Sequence, residues 1–333
     1  MAEGLARAAV ETTGCPGNDD LGSRPVGLKQ PILFSVRIVV RVALTLAVLA
    51  SWPSARAQTS QPPRASTAPA PSQVERGVLF AEWAKIREPL TGPAAAVGFY
   101  AAGCLQGAEA LPLDDDGYSV MRPSRHRFYG HPSLVSYITN LASTTRATFG
   151  TRLLIGDMAP PRGGPMLTGH ASHQNGLDVD VWLTTLARHP TEAERERLPA
   201  TSFVVGRKRL RPNWDEAQAR LLAAAADSDR VNRIFVSPPI KRYMCQNYQT
   251  APWLYRLRPW WGHEDHFHVR LRCPPGSPLC EEQDRLDPAD TGCGENLAWW
   301  FSAEADREWQ RLSTSKEPKQ FPALPAECSA MAR

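Results

Sequence analysis

Five of the eight histidines of this chain fall in two short segments that also carry acidic residues. Residues 169–180 contain two histidines and two aspartates, and residues 262–268 contain three histidines, one glutamate and one aspartate. Imidazole and carboxylate groups that converge in a cleft suit a borderline cation, above all Zn²⁺. A catalytic zinc typically has three protein ligands and one water, so we predict that the two segments together form a metal centre.

The second segment differs from the helical HExxH motif of many zinc proteases. Its first two histidines, His263 and His266, are three positions apart, and a strand pattern follows them. The HExxH motif needs histidines four positions apart on one helix face, with the adjacent glutamate as general base. We therefore expect a histidine, and not Glu264, to act as the base. We interpret isolated histidines such as His126 and His189 as surface residues or hydrogen-bonded core residues and not as metal ligands.

Two alternating segments would place the polar groups on strands. Over residues 177–182 and 266–271, aliphatic or aromatic residues alternate with polar or bulky ones. Alternate residues of a strand share a face, so each segment would bury one row and present the other row to the site. Asp178 would share a face with Asp180. It would either hold a ligand imidazole or be solvated.

Helical periodicity surrounds these strands. It predicts helices from Val74 to Ile86, from Pro132 through Leu141, from a cap at Asn213 to Asp227, and from Ala303 to Leu312, with a further strand at 233–236. The predicted fold class is α+β. In it, a small antiparallel sheet carries the metal-binding residues and is surrounded by helices and long loops.

The first 57 residues predict export. Arg37 and Arg41 precede a short apolar run at 42–50, and small residues ending at Ala57 follow, which is the pattern of a secretory signal peptide. We expect cleavage after Ala57 and a periplasmic location. An uncleaved membrane anchor is the alternative, because Arg41 interrupts a longer apolar stretch.

The remainder divides into a spacer and one domain. Residues 58–73 are rich in Pro and Ser and predict a flexible spacer, and residues 74–333 predict a single domain. Cleavage after Ala57 leaves six of the seven cysteines, which in an exported domain indicates up to three disulfides. Cys273 and Cys280 flank a Pro-Pro-Gly turn and form the simplest local pair.

Composition excludes several other classes of protein. Of the 333 residues 42% are hydrophobic, which is too many for a fully disordered chain. The net charge of +4, from 38 basic and 34 acidic residues, is too small to indicate a nucleic-acid partner. No later run is apolar over the length of a spanning helix, so we expect no transmembrane span after signal cleavage.

The two histidine segments resemble the penicillin-insensitive murein endopeptidases. These belong to a broader group with lysostaphin, the D-Ala-D-Ala metallopeptidases and sonic hedgehog, marked by a His-x6-Asp motif and a later His-x-His. His173 and Asp180 match the first motif, and His266 and His268 match the second. Further blocks typical of the family lie at 98–104, 110–113, 118–122, 129–132, 155–158, 169–174 and 260–271.

The resemblance implies a role for each of these residues within a zinc metallopeptidase domain. His173, Asp180 and His268 would bind zinc. His266 would be the general base, and His263 would stabilise the oxyanion or orient that base. The residues implied to line the site are His170, Asp178, His131 and Trp261, with core packing as the alternative for the tryptophan. The implied disulfides are Cys104–Cys328, Cys245–Cys293 and Cys273–Cys280.

The resemblance also implies a substrate. It is peptidoglycan, whose peptide cross-links, chiefly D-alanyl-meso-diaminopimelate, would be hydrolysed. Without a serine nucleophile there is no acyl-enzyme for a β-lactam to trap, and the serine-enzyme motif set is absent from the sequence. The alternatives are a D-Ala-D-Ala carboxypeptidase and a non-catalytic zinc-containing peptidoglycan-binding protein. His266 disfavours the latter, because a structural zinc site has no use for a free base.

Overall fold

The computed structural model describes residues 81–166, 170–314 and 322–332. The predicted leader, the predicted spacer and most of the predicted helix from Val74 to Ile86 lie outside the described residues. In chain order the strands are β1 (Ala95–Phe99), β2 (Ala102–Gln106), β3 (Glu109–Ala110), β4 (Tyr118–Val120), β5 (Tyr129–Gly130), β6 (Leu153–Ile155), β7 (Asp178–Trp182), β8 (Val204–Val205), β9 (Arg209–Leu210), β10 (Val231–Val236), β11 (Leu257–Pro259) and β12 (His266–Leu271). The helices are α1 (Pro132–Phe149), α2 (Glu192–Arg197), α3 (Glu216–Ala226), α4 (Pro238–Asn247), α5 (Glu295–Trp299), α6 (Ala303–Thr314) and α7 (Ala326–Met331).

Six strands form the central sheet, in the order β11-β10-β12-β7-β6-β4. Strand β12 lies between β7 and β10 and pairs antiparallel with both, whereas the outer pairs β10–β11 and β4–β6 are parallel. The α+β class is confirmed. The sheet is mixed and wider than the small antiparallel sheet that the sequence predicts, because strands as short as β4, β6 and β11 carry too few residues to show a period.

The two alternating segments become neighbouring strands at the centre of this sheet. Asp180 lies opposite His268, and Asp178 lies opposite Arg270, so these side chains share one face. The other face packs Val179, Val181, Phe267 and Val269 into the main hydrophobic core. The polar face is itself buried, and Asp178 and Asp180 are only 0% and 4% exposed. The site is therefore built inside the protein and not on an open sheet surface.

Helix α1 begins where the sequence predicts. Pro132 occupies its first turn, where the missing N–H is harmless, and the His131 imidazole caps it by accepting a hydrogen bond from the Ser133 N–H at 3.1 Å. The helix buries Leu134, Val135, Ile138 and Leu141 and ends at Gly150, which has φ +68°. These are the residues that the helical spacing assigns to its inner face.

Helix α3 begins two residues later than predicted. Its cap is Asp215, whose carboxylate accepts from the Ala217 N–H at 2.7 Å, and not Asn213. Asp215 and Gln218 form a reciprocal capping box, which satisfies two amide groups of the first turn. Trp214 stands between the two candidate caps and is buried against Phe203.

Three disulfides join distant parts of the chain, in the pairing that the resemblance implies. Cys104 of β2 is bonded to Cys328 of α7, Cys245 of α4 to Cys293, and Cys273 to Cys280. Among the residues that the structure describes, none of the helices is both long and apolar enough to cross a lipid bilayer.

Candidate metal centre

The turn before β7 brings the first predicted ligand to the sheet. His173 has φ +67°, and its backbone N–H donates to the Asp178 carboxylate at 3.1 Å. Gly176, with φ +76°, completes the turn, and a Cβ atom at this position would overlap the Leu105 side chain. The left-handed backbone at both positions folds the His173 imidazole back over β7.

The three predicted ligands meet at one carboxylate oxygen. Asp180 Oδ1 lies 3.4 Å from His173 Nε2 and 3.2 Å from His268 Nδ1, and the two imidazole centroids are 4.5 Å apart. Asp180 Oδ1, both His173 nitrogens and His268 Nε2 are buried without a well-formed hydrogen bond. Buried polar atoms are almost always paired, so this set of nitrogen and oxygen donors fits a bound cation of the zinc type.

His170 enters the same cluster from the other side. Its Nε2 atom lies 3.2 Å from Asp180 Oδ2 and 3.3 Å from Asp157 Oδ2. One donor atom each from His170, His173 and Asp180 fall within 4.8 Å of one another, which is close enough to hold a metal ion. His170, which the sequence predicts only to line the site, therefore lies where it could act as a ligand. The other nitrogen of His268, Nε2, lies 3.3 Å from Asp178 Oδ1.

Asp178 is buried beside the ligands and is not solvated. Its carboxylate accepts two hydrogen bonds from the Arg270 guanidinium, at 2.9 and 3.0 Å, in addition to the bond from the His173 N–H. Burial opposes ionisation of Asp178, but Arg270 and His268 outweigh it and hold its pKa below the usual range. Asp178 therefore connects the backbone of one predicted ligand with the side chain of another.

Asp157 and Arg270 complete the electrostatics of the site, and sequence reasoning did not single them out. Asp157 is 5% exposed and pairs with Arg127 at 2.8 Å and Arg125 at 3.2 Å as well as with His170. Burial alone would raise the pKa of Asp157. The hydrogen bond with His170 and the charges of the two arginines outweigh burial, so the pKa lies below its usual range. Two features of the sequence could have identified Asp157 and Arg270. Both residues lie inside blocks typical of the family, and Arg270 lies on the polar row of β12.

The two predicted catalytic histidines lie beside the ligands. His266 Nδ1 is 2.6 Å from Asp265 Oδ1, and its Nε2 is 3.7 Å from Asp180 Oδ1. His263 Nδ1 donates to the Trp261 carbonyl at 2.9 Å, and the two histidine rings are 5.1 Å apart. Burial lowers the pKa of His263 well below its usual value. It also opposes protonation of His266, whose pKa is nevertheless raised by Asp180 and Asp265.

A cavity of about 210 Å³ opens onto this cluster. The charged and histidine residues that line it are Arg122, Arg125, Asp157, His170, Asp180, Asp265 and His266. The lining does not include His131 or Trp261. The first caps α1, with its backbone N–H donating to the Gly176 carbonyl, and the second packs among other tryptophans.

Comparison with known proteins yields one consistent result. A family model described as penicillin-insensitive murein endopeptidase matches residues 96–333. Curated relatives of the same description include a protein of Haemophilus influenzae, which is 40% identical over 258 residues, covering 74% of this chain and 86% of the relative. A Klebsiella pneumoniae protein is 40% identical over 252 residues, and one from Salmonella paratyphi B is 41% identical over 253. Each of these covers 75% of this chain and 90% of the relative. The family match spans every residue of the cluster described above.

Proposed function

The chain belongs to the family of penicillin-insensitive murein endopeptidases, and from that premise we propose that it is a zinc-dependent enzyme that hydrolyses the D-alanyl-meso-diaminopimelate cross-links of peptidoglycan. At the coarser level, it is a peptidase of the murein endopeptidase type. The observation that carries the proposal is the convergence of His173 and His268 on Asp180 Oδ1, with buried donor atoms that lack hydrogen-bond partners.

His173, Asp180 and His268 would hold the metal, with His170 as the neighbouring further donor. When bound, zinc supplies Lewis-acid polarisation of an amide carbonyl and acidifies water. The protein contributes the orientation of these ligands. Asp178 accepts a hydrogen bond from the His173 N–H and lies 3.3 Å from His268 Nε2. It therefore helps to keep both imidazoles oriented toward Asp180.

His266 is the proposed general base. Asp265 holds its Nδ1 atom at 2.6 Å, which directs Nε2 toward the Asp180 side of the cavity. From that position the imidazole takes a proton from the attacking water and returns it to the leaving amine. A carboxylate–histidine pair of this kind both orients the ring and stabilises its protonated form.

His263 has a narrower proposed role than the two that the sequence leaves open. The Trp261 carbonyl can only accept a hydrogen bond, so His263 Nδ1 carries the proton. The neutral ring then offers only a lone pair at Nε2. That atom can accept a hydrogen bond from water, or from His266 Nε2 once that ring has taken a proton, but it cannot donate one to an oxyanion. We infer that His263 orients the base.

Export remains part of the proposal. Disulfides persist in oxidising compartments, and the three disulfides of this domain accord with a periplasmic protein whose signal peptide is removed after Ala57. The substrate is then reached in the compartment where peptidoglycan lies. N-terminal sequencing of the exported protein tests the cleavage point.

The test combines metal analysis with product analysis. Full-length protein, matured by export, is assayed for zinc per chain and incubated with murein sacculi with and without a chelator. The expected result is about one zinc per chain and chelator-sensitive loss of cross-linked muropeptide dimers. Removal of a terminal residue from uncross-linked pentapeptides, with dimers intact, would indicate the carboxypeptidase. Murein binding without any released peptide would indicate the binding protein.

A further inference from the structure

A groove of about 600 Å³ lies beside the candidate metal centre and plays no part in the proposed chemistry. We call it the tryptophan groove. It is lined by Trp260, Trp261, Trp299 and Trp300 together with four charged residues of α6, Glu304, Arg307, Glu308 and Arg311. Its volume lies within the range of sites that bind small molecules or segments of polymers.

The tryptophans hold one another in fixed, tilted orientations. Trp261 packs edge-on against Trp300 with ring centroids 4.7 Å apart, and it also contacts Trp299 and Trp309 at 6.0 and 6.1 Å. Trp260 nevertheless remains 51% exposed. An indole that serves only the core is largely buried, so this exposed face is available to a ligand on a rigid support.

Helix α6 supplies a charged rim of zero net charge. Glu304, Arg307, Glu308 and Arg311 recur at the spacing of one helix face, and the last two form an ion pair at 2.6 Å. Two carboxylates and two guanidinium groups offer many hydrogen-bond acceptors and donors without a net field. Such a rim suits an uncharged ligand rich in hydroxyl and amide groups, and it favours neither a polyanion nor a polycation.

The tryptophan groove is joined to the candidate metal centre by direct contacts. Trp261, which lines the groove, accepts a hydrogen bond from His263 through its carbonyl and is separated from that residue only by Gly262. Trp260 also packs on Phe235 at 6.0 Å, and Phe235 contacts the His268 ring at 5.4 Å. A ligand in the groove therefore lies next to the bond-breaking residues.

We propose that the tryptophan groove binds the glycan strand of peptidoglycan, an inference that rests on the proposed function. A pyranose ring has one face of C–H groups, which stacks on an indole, and a periphery of hydroxyl and acetamido groups, which would meet the charged rim. Peptidoglycan joins such rings to the peptides that carry the cross-link. Engagement of the glycan in the groove would hold an intact wall against the active site while the peptide enters the cavity.

The first experiment compares two substrates. One is intact murein sacculi, and the other is cross-linked peptide dimers from which an amidase has removed the glycan. We expect Trp260→Ala and Glu304→Ala each to lower the rate on sacculi about tenfold more than the rate on free dimers, as loss of one aromatic or polar contact predicts. Leu279→Ala is the control, since it removes a side chain that is 50% exposed but lies outside the groove.

Equal losses on both substrates would overturn the proposal, because they would assign the groove to the peptide. Unchanged rates on both substrates would overturn it as well. If wild-type protein cleaves neither substrate, the proposed function is wrong. The binding experiment alone then tests whether the groove binds a glycan.

The binding experiment uses chitotetraose, an oligomer of N-acetylglucosamine, as the probe and tryptophan fluorescence as the readout. We expect saturable quenching with wild-type protein and with Leu279→Ala, and at least about tenfold weaker binding with Trp260→Ala. Absence of quenching in the wild type, or the same affinity in Trp260→Ala, would overturn the proposal whatever the enzymatic result.

Discussion

At the scale of single residues, the site depends on how one carboxylate oxygen is surrounded. Asp180 Oδ1 has imidazole nitrogens of His173, His268 and His266 at 3.4, 3.2 and 3.7 Å. Burial opposes ionisation of Asp180, but His173, His266 and His170 hold its pKa well below the usual range. The residues closest to this oxygen are the proposed ligands, and the more distant His266 is the proposed base.

This ordering predicts different losses for neighbouring histidines. His268→Ala should lose zinc and activity together, whereas His266→Ala should keep zinc and lose about 100-fold or more in turnover, because only proton transfer is removed. Zinc per chain and the rate on cross-linked dimers check both. His170→Ala is informative beside them. Loss of metal there, with metal retained in His268→Ala, would assign the third ligand to His170.

Asp178 and Arg270 predict a second, indirect effect. Asp178→Asn should weaken zinc binding about 10- to 100-fold, since it loosens the orientation of His173 and His268. It should also destabilise the fold by about 3 kcal/mol, because the buried Arg270 guanidinium loses its counter-charge. Metal titration and denaturant unfolding measure the two effects separately.

Asp306→Asn is the matched control for that variant. Asp306 pairs with Lys208 at 2.7 Å on the surface, where solvent screens the pair, so its loss should change stability far less than the loss of Asp178 does. Equal effects of the two substitutions would contradict the role given to Asp178.

The sequence reaches most of this site but not its full set of partners. Spacing identifies the two histidine clusters, because ligand types recur at intervals that a turn and a strand can bring together, and the family resemblance assigns roles within them to His173, Asp180, His266 and His268. The spacing does not single out Asp157 or Arg270. Their roles depend on which elements become neighbours across the sheet, and a residue's own segment carries no signal for that.

At the scale of elements, the alternating segments are the most predictable feature. Strands β7 and β12 occupy the predicted positions to within one residue, because a period of two over five or six residues is a strong pattern. The short strands β4, β6 and β11 have no such period. They are strands because the sheet pairs them, which is a property of the tertiary structure and not of the local sequence.

The loop before β7 predicts a contrast between two glycines. Gly163 has φ +64°, and a Cβ atom there would overlap the backbone oxygen of Gln174, the neighbour of His173. Gly163→Ala should therefore destabilise the fold by more than about 2 kcal/mol and weaken metal binding, because the turn itself must shift.

Gly206→Ala provides the control for this contrast. Gly206 has a similar φ of +58°, but in the described part of the chain no atom beyond its immediate neighbours lies within 4 Å of the position that an added methyl group would take. Only the conformational penalty of about 1 kcal/mol therefore applies. Thermal unfolding and zinc titration of both variants measure the difference. Equal losses would show that the backbone angle, and not the clash, decides the effect.

At the scale of the whole molecule, a buried lysine predicts the pH dependence of stability. Lys241 is fully buried, and its Nζ donates to the carbonyls of Leu254 and Thr291 at 3.0 and 2.6 Å. Burial lowers the pKa of Lys241 to about 7. Between that value and the ordinary lysine pKa, the unfolded chain holds a proton that the folded protein has released, so the contribution of Lys241 to stability rises with pH.

Relative to Lys241→Met, the wild-type protein should gain up to about 3 kcal/mol between about pH 7 and pH 9.5, whereas the raised pKa of His268, about 9, adds a fall with pH to the stability of both proteins. Above that range the raised pKa values of buried tyrosines such as Tyr118, about 12, reverse the trend. Urea unfolding at several pH values measures the slope. Lys208→Met, which removes a partly exposed lysine, should keep the wild-type slope.

The disulfides predict unequal contributions to stability. Cys104 and Cys328 are separated by 224 residues, whereas Cys273 and Cys280 are separated by 7. Since a longer closed loop restricts the unfolded chain more, the Cys104→Ala/Cys328→Ala pair should lose about 4–5 kcal/mol, and the Cys273→Ala/Cys280→Ala pair clearly less. Comparison of the two double variants by denaturant unfolding checks this order.

The three bonds are also nested, with Cys273–Cys280 inside Cys245–Cys293 and both inside Cys104–Cys328. A chain that emerges from a translocation channel with its N-terminus first presents Cys104, then Cys245, long before Cys328. Oxidation in order of appearance would join Cys104 to Cys245, and that bond must be exchanged before the native set can form. Under the proposed export, we therefore expect the native set to form faster with a catalyst that reshuffles disulfides than with an oxidant alone.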